Sequence, residues 1–484
     1  MKIAFYIASG QKGVILSTAK EISMISGCEV YIVARDRNVS NLVNKLLPDM
    51  HDNIIDLSKI KEKLVVNKSI VERAIRMENI IGEYSSMLSS YDRSIGQGYL
   101  SNADKHPHIV SSLYTHKEKL KKIVEEFECS EILVNKYNLK IFFGFQRPVI
   151  LSLLLKSKGI DFITYTISKL GDRYHFVKDH MVQSDCLIAS IQKYLDIFDH
   201  DATVDDIKYN TYEHFNIASS KINDSLFNAI KHSVYTCLHE LYKIIKGFNK
   251  LNSYKFCGWV PTFFRKIRAK KYWMKYGIGV DSLSDMKTVI FPLHMEPEIS
   301  LLQISPEFNN SYEIICWVSK NLPADTILVI KENPWSFGIR SKNYYDRLRK
   351  IGNVELARLD TTTEEWINRS IFTVAITGTS GYESIYFNKP VLSYGKYQII
   401  NYLPTVRYVA NFFETRDAIK DLMCINNNVF LKSKYALHKS LMSCGFSLPR
   451  HLDYLDADYL VGDLGKILSG NLYDQYLVKF LGSR

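Results

Sequence analysis

The sequence predicts an α/β protein built from two Rossmann-like, doubly wound domains, and three observations carry that prediction. β-branched apolar runs alternate with helical windows in two separate stretches, one opening the chain and one running from Lys287 to about Phe413. Several of those runs stop at a polar cluster, which is how parallel strands deliver side chains to one edge of a sheet. The 484 residues, 46% of them hydrophobic, are too many for one core and enough for two.

Taken in order, the first stretch opens with a strand at 2–8, a helix from about Gly13 to Ser26 and a strand at Glu29–Ala34, a βαβ start. Lys61–Ser90 shows apolar residues at helical spacing and leads to a loop holding Asp92. A charged helix is expected around Thr115–Cys129, then strands near Glu131–Val134 and Ile141–Phe145. A helix at 147–157 and a strand at 161–167 end at a loop holding Asp172. The stretch from Leu187 to His239 reads as mostly helical. In the second alternating region, strands are expected near 287–293, 326–331, 353–357, 372–377 and 391–394, and the tail from Tyr454 reads as helical. The expected division is 1–200, a connecting segment 201–285, a second domain 286–440 and terminal helices 441–484 returning to the first domain.

The run from Thr373 to Asn388, TVAITGTSGYESIYFN, reads as a buried strand, a Gly-rich turn and the start of a helix. Thr377-Gly378-Thr379-Ser380-Gly381 would present backbone N–H groups and hydroxyls to an anion, helped by the positive end of the helix. Glu383 falls about one turn in, where a carboxylate can accept sugar hydroxyls. The same glycines also suit a tight strand-to-helix turn with no ligand. Two upstream runs end comparably: TVIFPLHMEPE carries His294, Glu296 and Glu298, and TILVIKENPW carries Lys331, Glu332 and Asn333.

The succession PLHMEPE, KENP and TGTSGYES, followed by Asn388-Lys389-Pro390-Val391 and Gly395, resembles the bacterial capsular polysaccharide biosynthesis proteins. These are GT-B-like glycosyltransferases, a set that includes Kdo-type transferases. The resemblance covers about 286–415 well and is looser upstream, at Asp92-Arg93-Ser94, Gly96-Gln97-Gly98-Tyr99 and Gly171-Asp172-Arg173-Tyr174-His175. Where the Kdo-type group carries HP and QP signatures, this chain has MEPE and KENP. The resemblance implies a GT-B fold with the active site in a cleft between an N-terminal acceptor domain and a C-terminal donor domain. It implies transfer of a sugar from an activated donor to a surface polysaccharide, such as capsule or lipopolysaccharide O-antigen, or to a lipid-linked glycan.

Roles follow from what the reaction needs: a stabilised leaving phosphate, a deprotonated acceptor hydroxyl and a held oxocarbenium-like centre. Phosphate is assigned to Thr377, Gly378, Thr379, Ser380 and Gly381, with Lys331 as charge partner and Asn333 beside it. Glu383 is assigned to ribose or donor sugar, and His294 and Glu296 to donor sugar or phosphate, Glu296 also standing among the catalytic candidates. Glu298 serves equally as a donor contact or as a negative charge at the next helix start. The general base is expected from Asp172, His175 or Asp92, with Arg173 and Arg93 as salt partners. No cofactor and no metal are expected. The donor is read as CMP-, UDP- or another nucleotide-linked sugar, or phosphoribosyl diphosphate. A non-hydrolysing nucleotide-sugar epimerase and a non-catalytic glycan assembly factor are the competing readings.

The eight cysteines, at 28, 129, 186, 237, 257, 316, 424 and 444, show no C-x-x-C pair and read as buried thiols of a reducing compartment. MKIAFYIASG looks like a first strand rather than a signal peptide, and no window has the apolar length of a membrane span. A cytoplasmic protein is expected. The net charge of +11 is uneven: Leu241–Val280 holds ten Lys or Arg and no acid, interleaved with aromatics. That mixture suits peripheral contact with an anionic inner membrane, and no nucleic-acid motif accompanies it.

Overall fold

The computed structural model describes the chain except for residues 9–10, 65–68, 92–114, 146–147, 170–172, 180–182, 200–224, 246–258, 297, 309, 334–335, 449–458 and 479–484. It has the expected class: α/β, with two doubly wound sheets. The chain divides into two compact units, Met1–Leu88 with His116–Leu187 and Leu441–Arg484, and Ser89–Thr115 with Ile188–Ser440.

The first unit holds strands β1 (Lys2–Ile7), β2 (Glu29–Ala34), β3 (Ile54–Asp56), β4 (Ile141–Gly144), β5 (Asp161–Ile167) and β6 (Arg173–Lys178). The second holds β7 (Lys287–Pro292), β8 (Thr326–Lys331), β9 (Val354–Leu356), β10 (Phe372–Ala375), β11 (Val391–Ser393) and β12 (Val406–Tyr408). A short β13 (Phe446–Ser447) returns to the first. The sheet orders are β13-β6-β5-β4-β1-β2-β3 and β12-β11-β10-β7-β8-β9. The second is parallel throughout; in the first, β6 and β13 add an antiparallel edge. Central strands buried on both faces explain why IAFYI and VIF read as unbroken apolar runs, each such side chain contributing about 1.5–3 kcal/mol on burial.

Helix Gly462–Leu472 packs on helix Lys12–Ser23. The Val461 amide donates to Ser17 Oγ at 2.8 Å, and Gly465 lies so close that an added Cβ would fall 2.4 Å from the Ser17 Cβ.

Four sequence expectations need correction. Glu131–Val134 is not a strand but part of one helix, His116–Tyr137: Leu120, Ile123, Val124, Phe127 and Val134 are buried at helical spacing, so the apolar EILV is one turn of that stripe. The segment after Asp172 is not a loop, because Arg173–Lys178 pairs antiparallel with β5, setting His175 opposite Thr166. The cysteines are not all buried thiols. Cys186 and Cys444 form a disulfide, Cα–Cα 6.2 Å across 258 residues of sequence, a pairing no local spacing could signal; of the described free cysteines only Cys129 is buried. Finally, the aromatics of the basic segment do not all face outward. In helix Trp259–Tyr276, Tyr272 and Trp273 lie in the core of the second unit, Trp273 edge-on to Phe337 and Tyr345. Phe248 and Phe256 lie outside the described residues. Among the described residues no helix is long and apolar enough to cross a membrane.

Candidate functional site

In the second sheet the chain starts at β7 and steps outward through β8 to β9, then crosses back to β10 and steps the other way through β11 to β12. The order reverses between β7 and β10, which pair directly through Phe372↔Val289 and Thr373↔Ile290. A crevice at the carboxyl ends of the strands beside such a reversal is where open α/β sheets bind ligands. Two of the sequence motifs meet there: the loop after β7 brings His294, the turn after β10 brings Thr377.

They are bonded. His294 Nε2 accepts the Thr377 amide at 3.1 Å, so Nε2 carries no proton and the ring is in its Nδ1–H form. Gly378 lets the ring approach, since a Cβ there would lie 3.0 Å from Nε2. The Thr377 amide is therefore occupied by His294 and is not the anion donor that its place in the turn suggested. Its hydroxyl differs: Thr377 is 8% exposed, yet Oγ1 has no hydrogen-bond partner among the described residues. Helix Ser380–Tyr386 starts with Glu383 N–H donating to Thr379 O, so helix geometry leaves the Ser380, Gly381 and Tyr382 amides without an acceptor in the helix. Gly381 packs closely, a Cβ there falling 2.7 Å from the side-chain end Ile400 Cδ1, and Glu383 is buried one turn in.

The turn is braced from behind. Gln398 Nε2 donates to the Ile376 carbonyl at 2.5 Å, and Gly395 approaches that same oxygen closely. Ser384 Oγ lies 2.7 Å from both Thr373 Oγ1 and Ser380 O.

A second polar centre, fully buried, lies beneath the loops after β7 and β8. Arg340 pairs with Glu332 and lies 3.5 Å from Glu296 Oε1, all three side chains sealed from solvent, and it also donates to the His294 carbonyl. Glu332 further accepts from Tyr345 OH at 2.5 Å and the Asn333 amide at 2.7 Å. Glu296 accepts from the Ser311 amide at 3.0 Å and from its hydroxyl. Burial pushes Glu332 above the ordinary carboxylate range, the Arg340 charge acting against it. Glu296 thus moves from the catalytic and donor candidates to the frame under the loop. Arg340 was missed because a single arginine in FGIRS carries no motif.

Lys331, 7% exposed, donates to Thr361 O at 2.5 Å, in the loop after β9; its bonded partner is not in the 377–381 turn. Burial depresses its pKa to about 8, against the pull of Glu365 and Asp360. Glu298 occupies the N-cap of helix Ile299–Ile304 with no side-chain capping bond, and Asn333 is half-buried. His175 is buried in β6 with Nδ1 2.8 Å from Ser168 Oγ, and Arg173 donates to the Gly445 carbonyl at 2.9 Å. Asp92, Arg93 and Asp172 lie outside the described residues.

No family model and no curated protein matches the chain. Solved structures do match, distantly. Thermosulfurimonas dismutans KpsC, a beta Kdo 2,7 transferase, is 10% identical over 72% of this chain and 89% of its own, with a TM-score of 0.33. Anabaena HepE in complex with UDP-glucose is 7% identical over 98% and 100%, TM-score 0.30. S. aureus MnaA with UDP is 12% identical over 99% and 98%, TM-score 0.27.

The Lys331 shift makes a measurable prediction. Below pH 8 both folded and unfolded chains hold the proton; between pH 8 and the ordinary 10.5 only the unfolded chain does, so stability should rise with pH across that window. The full rise is roughly 3 kcal/mol. Urea unfolding of wild type and Lys331→Met across pH 7–11 checks it: wild type should gain on the variant as pH rises, and a difference independent of pH would remove the buried charge from the account.

Proposed function

We propose that the chain is a glycosyltransferase, moving a sugar from a nucleotide-linked donor or phosphoribosyl diphosphate onto a bacterial surface polysaccharide or lipid-linked glycan. The observation that carries the reading is the buried junction at the strand-order reversal. There an imidazole fixes the Thr377 backbone, while the Thr377 hydroxyl and the first-turn amides at Ser380 and Gly381 are left to receive a ligand. A diphosphate oxygen would accept from these groups. The neutral His294 serves as a brace rather than as a charge, and Glu383 would accept sugar hydroxyls. In the transfer, the bond from the anomeric carbon to phosphate oxygen breaks and the bond to the acceptor oxygen forms. The acceptor proton passes to a base, for which Asp92, Asp172 and His175 are the candidates, His175 lying buried in its strand against Ser168.

The orphan hydroxyl yields a sharp test. Thr377→Val keeps the shape and removes a group that makes no bond in the free protein, so stability should be unchanged or higher. Ligand binding should weaken about tenfold, the equivalent of one hydrogen bond of about 1.4 kcal/mol. Thermal shifts with CMP, UDP, GDP, dTDP, ADP and phosphoribosyl diphosphate measure this, a ligand at a hundred times its Kd adding about 2.7 kcal/mol. No shift with any ligand would sink the activated-donor reading. Interconversion of a nucleotide sugar without an acceptor would replace transfer by epimerisation.

A further inference from the structure

Helix Leu226–Ile245 turns an apolar stripe outward. Phe227, Ile230, Val234, Leu238, Leu241 and Ile245 recur at intervals of three and four, within about a quarter of the helix circumference, and are 46–81% exposed. Scattered exposed apolar residues are ordinary, but a continuous stripe over five turns marks a surface that is covered in use. Among the residues of this helix whose burial is described, the small Ala229 and Ser233 are the buried ones.

The helix packed against it indicates what covers the stripe. On helix Trp259–Tyr276 the inward side is Ala269, Tyr272 and Trp273, while Phe264, Ile267, Arg268, Lys271, Met274 and Lys275 share the exposed side. That outer side is cationic and apolar by turns, with no acid anywhere in 241–280. A soluble protein partner would need an acidic apolar groove to match both helices. An anionic bilayer offers both chemistries in one surface, headgroups for the bases and an acyl boundary for the stripe.

We infer that the helix pair Leu226–Ile245 and Trp259–Tyr276 is a membrane-docking surface that lies in the interface of an anionic bilayer without crossing it. The inference stands apart from the sugar-transfer reading, and its test needs no donor.

The full chain is floated with phosphatidylcholine vesicles, with and without phosphatidylglycerol. Binding should require phosphatidylglycerol and fall as salt is raised. Leu238→Gln with Leu241→Gln, and separately Lys271→Glu with Lys275→Glu, should each weaken binding about tenfold or more, the order expected from apolar insertion and from basic residues at a charged surface. Both pairs alter exposed groups and should leave the melting temperature as it is. A Leu238→Trp reporter should shift its emission to the blue on phosphatidylglycerol vesicles. Absence of vesicle binding, binding indifferent to the leucine pair, or an unshifted reporter would each overturn the inference. So would a lipid-free dimer that the leucine pair dissociates, which would make a second copy of the chain the cover.

Discussion

Arg340→Met should destabilise the second unit by about 3–5 kcal/mol, the loss expected when one member of a buried ion cluster is removed and its partners stay. The guanidinium lies between Glu332 and Glu296 with no side-chain exposure on any of the three, so the variant strands two carboxylates in the core. Glu332 responds by taking up a proton. Glu332 is already raised by burial, and loss of the cation raises it further. A carboxyl group whose folded pKa lies above its unfolded value favours the folded state at low pH and loses that advantage as pH rises through the folded pKa. The deficit of Arg340→Met should therefore be smaller at pH 5 than at pH 8, which urea titrations at the two values will show. Adding Glu296→Gln and Glu332→Gln should recover much of the loss at pH 8, because the stranded charge and not the missing bonds carries most of the cost. A single-variant deficit below 1 kcal/mol, or one independent of pH, would mean the cluster is not sealed. The His294 carbonyl accepts from the same guanidinium, so the loop at the β7 end should loosen as well.

Gly395→Ala is the second large effect. A Cβ at Gly395 would lie 2.0 Å from the Ile376 carbonyl oxygen and 2.8 Å from Gln398 Cγ. The first is a backbone atom that cannot swing aside, and it is also the acceptor for Gln398 Nε2. Ile376 immediately precedes Thr377, so relieving the clash moves the turn that carries the orphan hydroxyl. Overpacking of this kind costs about 1–3 kcal/mol, and a displacement of about 1 Å at a reacting centre can cost on the order of a hundredfold in rate. Gly381→Ala is the control: its obstacle is Ile400 Cδ1, the free end of a side chain that can rotate, so its stability loss should be clearly smaller. Equal losses in the two variants would argue against a rigid contact at Gly395.

The strands that read clearly in the sequence are the ones buried on both faces. β2, β5 and β8 fall at Glu29–Ala34, Asp161–Ile167 and Thr326–Lys331, because a continuous β-branched run bounded by polar residues has few other uses. β3, β12 and β13 were not legible: each is a two- or three-residue strand at the edge of its sheet, and nothing local in the sequence marks the strand it pairs with. β6 was hidden for another reason, its RYHFVK mixing charges with apolar residues as an antiparallel edge permits. At the site, the residue types at the strand ends were legible but their use was not. Nothing in LHMEPE distinguishes the histidine that reaches the reversal point from the glutamate that turns inward, since that depends on Arg340 from a distant segment. Lys331 looked like a phosphate cation because KENP places it at a strand end, and only the fold shows it bonded to Thr361.

The first unit is discontinuous, and this sets a timetable for its making. Helix Lys12–Ser23 leaves the ribosome before the long stretch Ile188–Ser440 of the second unit, but the helix that covers it, Gly462–Leu472, and the cysteine that bonds Cys186 are synthesised only after that stretch. At ordinary elongation speeds that interval is on the order of tens of seconds. The N-terminal sheet therefore waits with one helical face open, and the second unit, although later in sequence, has all its strands in hand before the first can close.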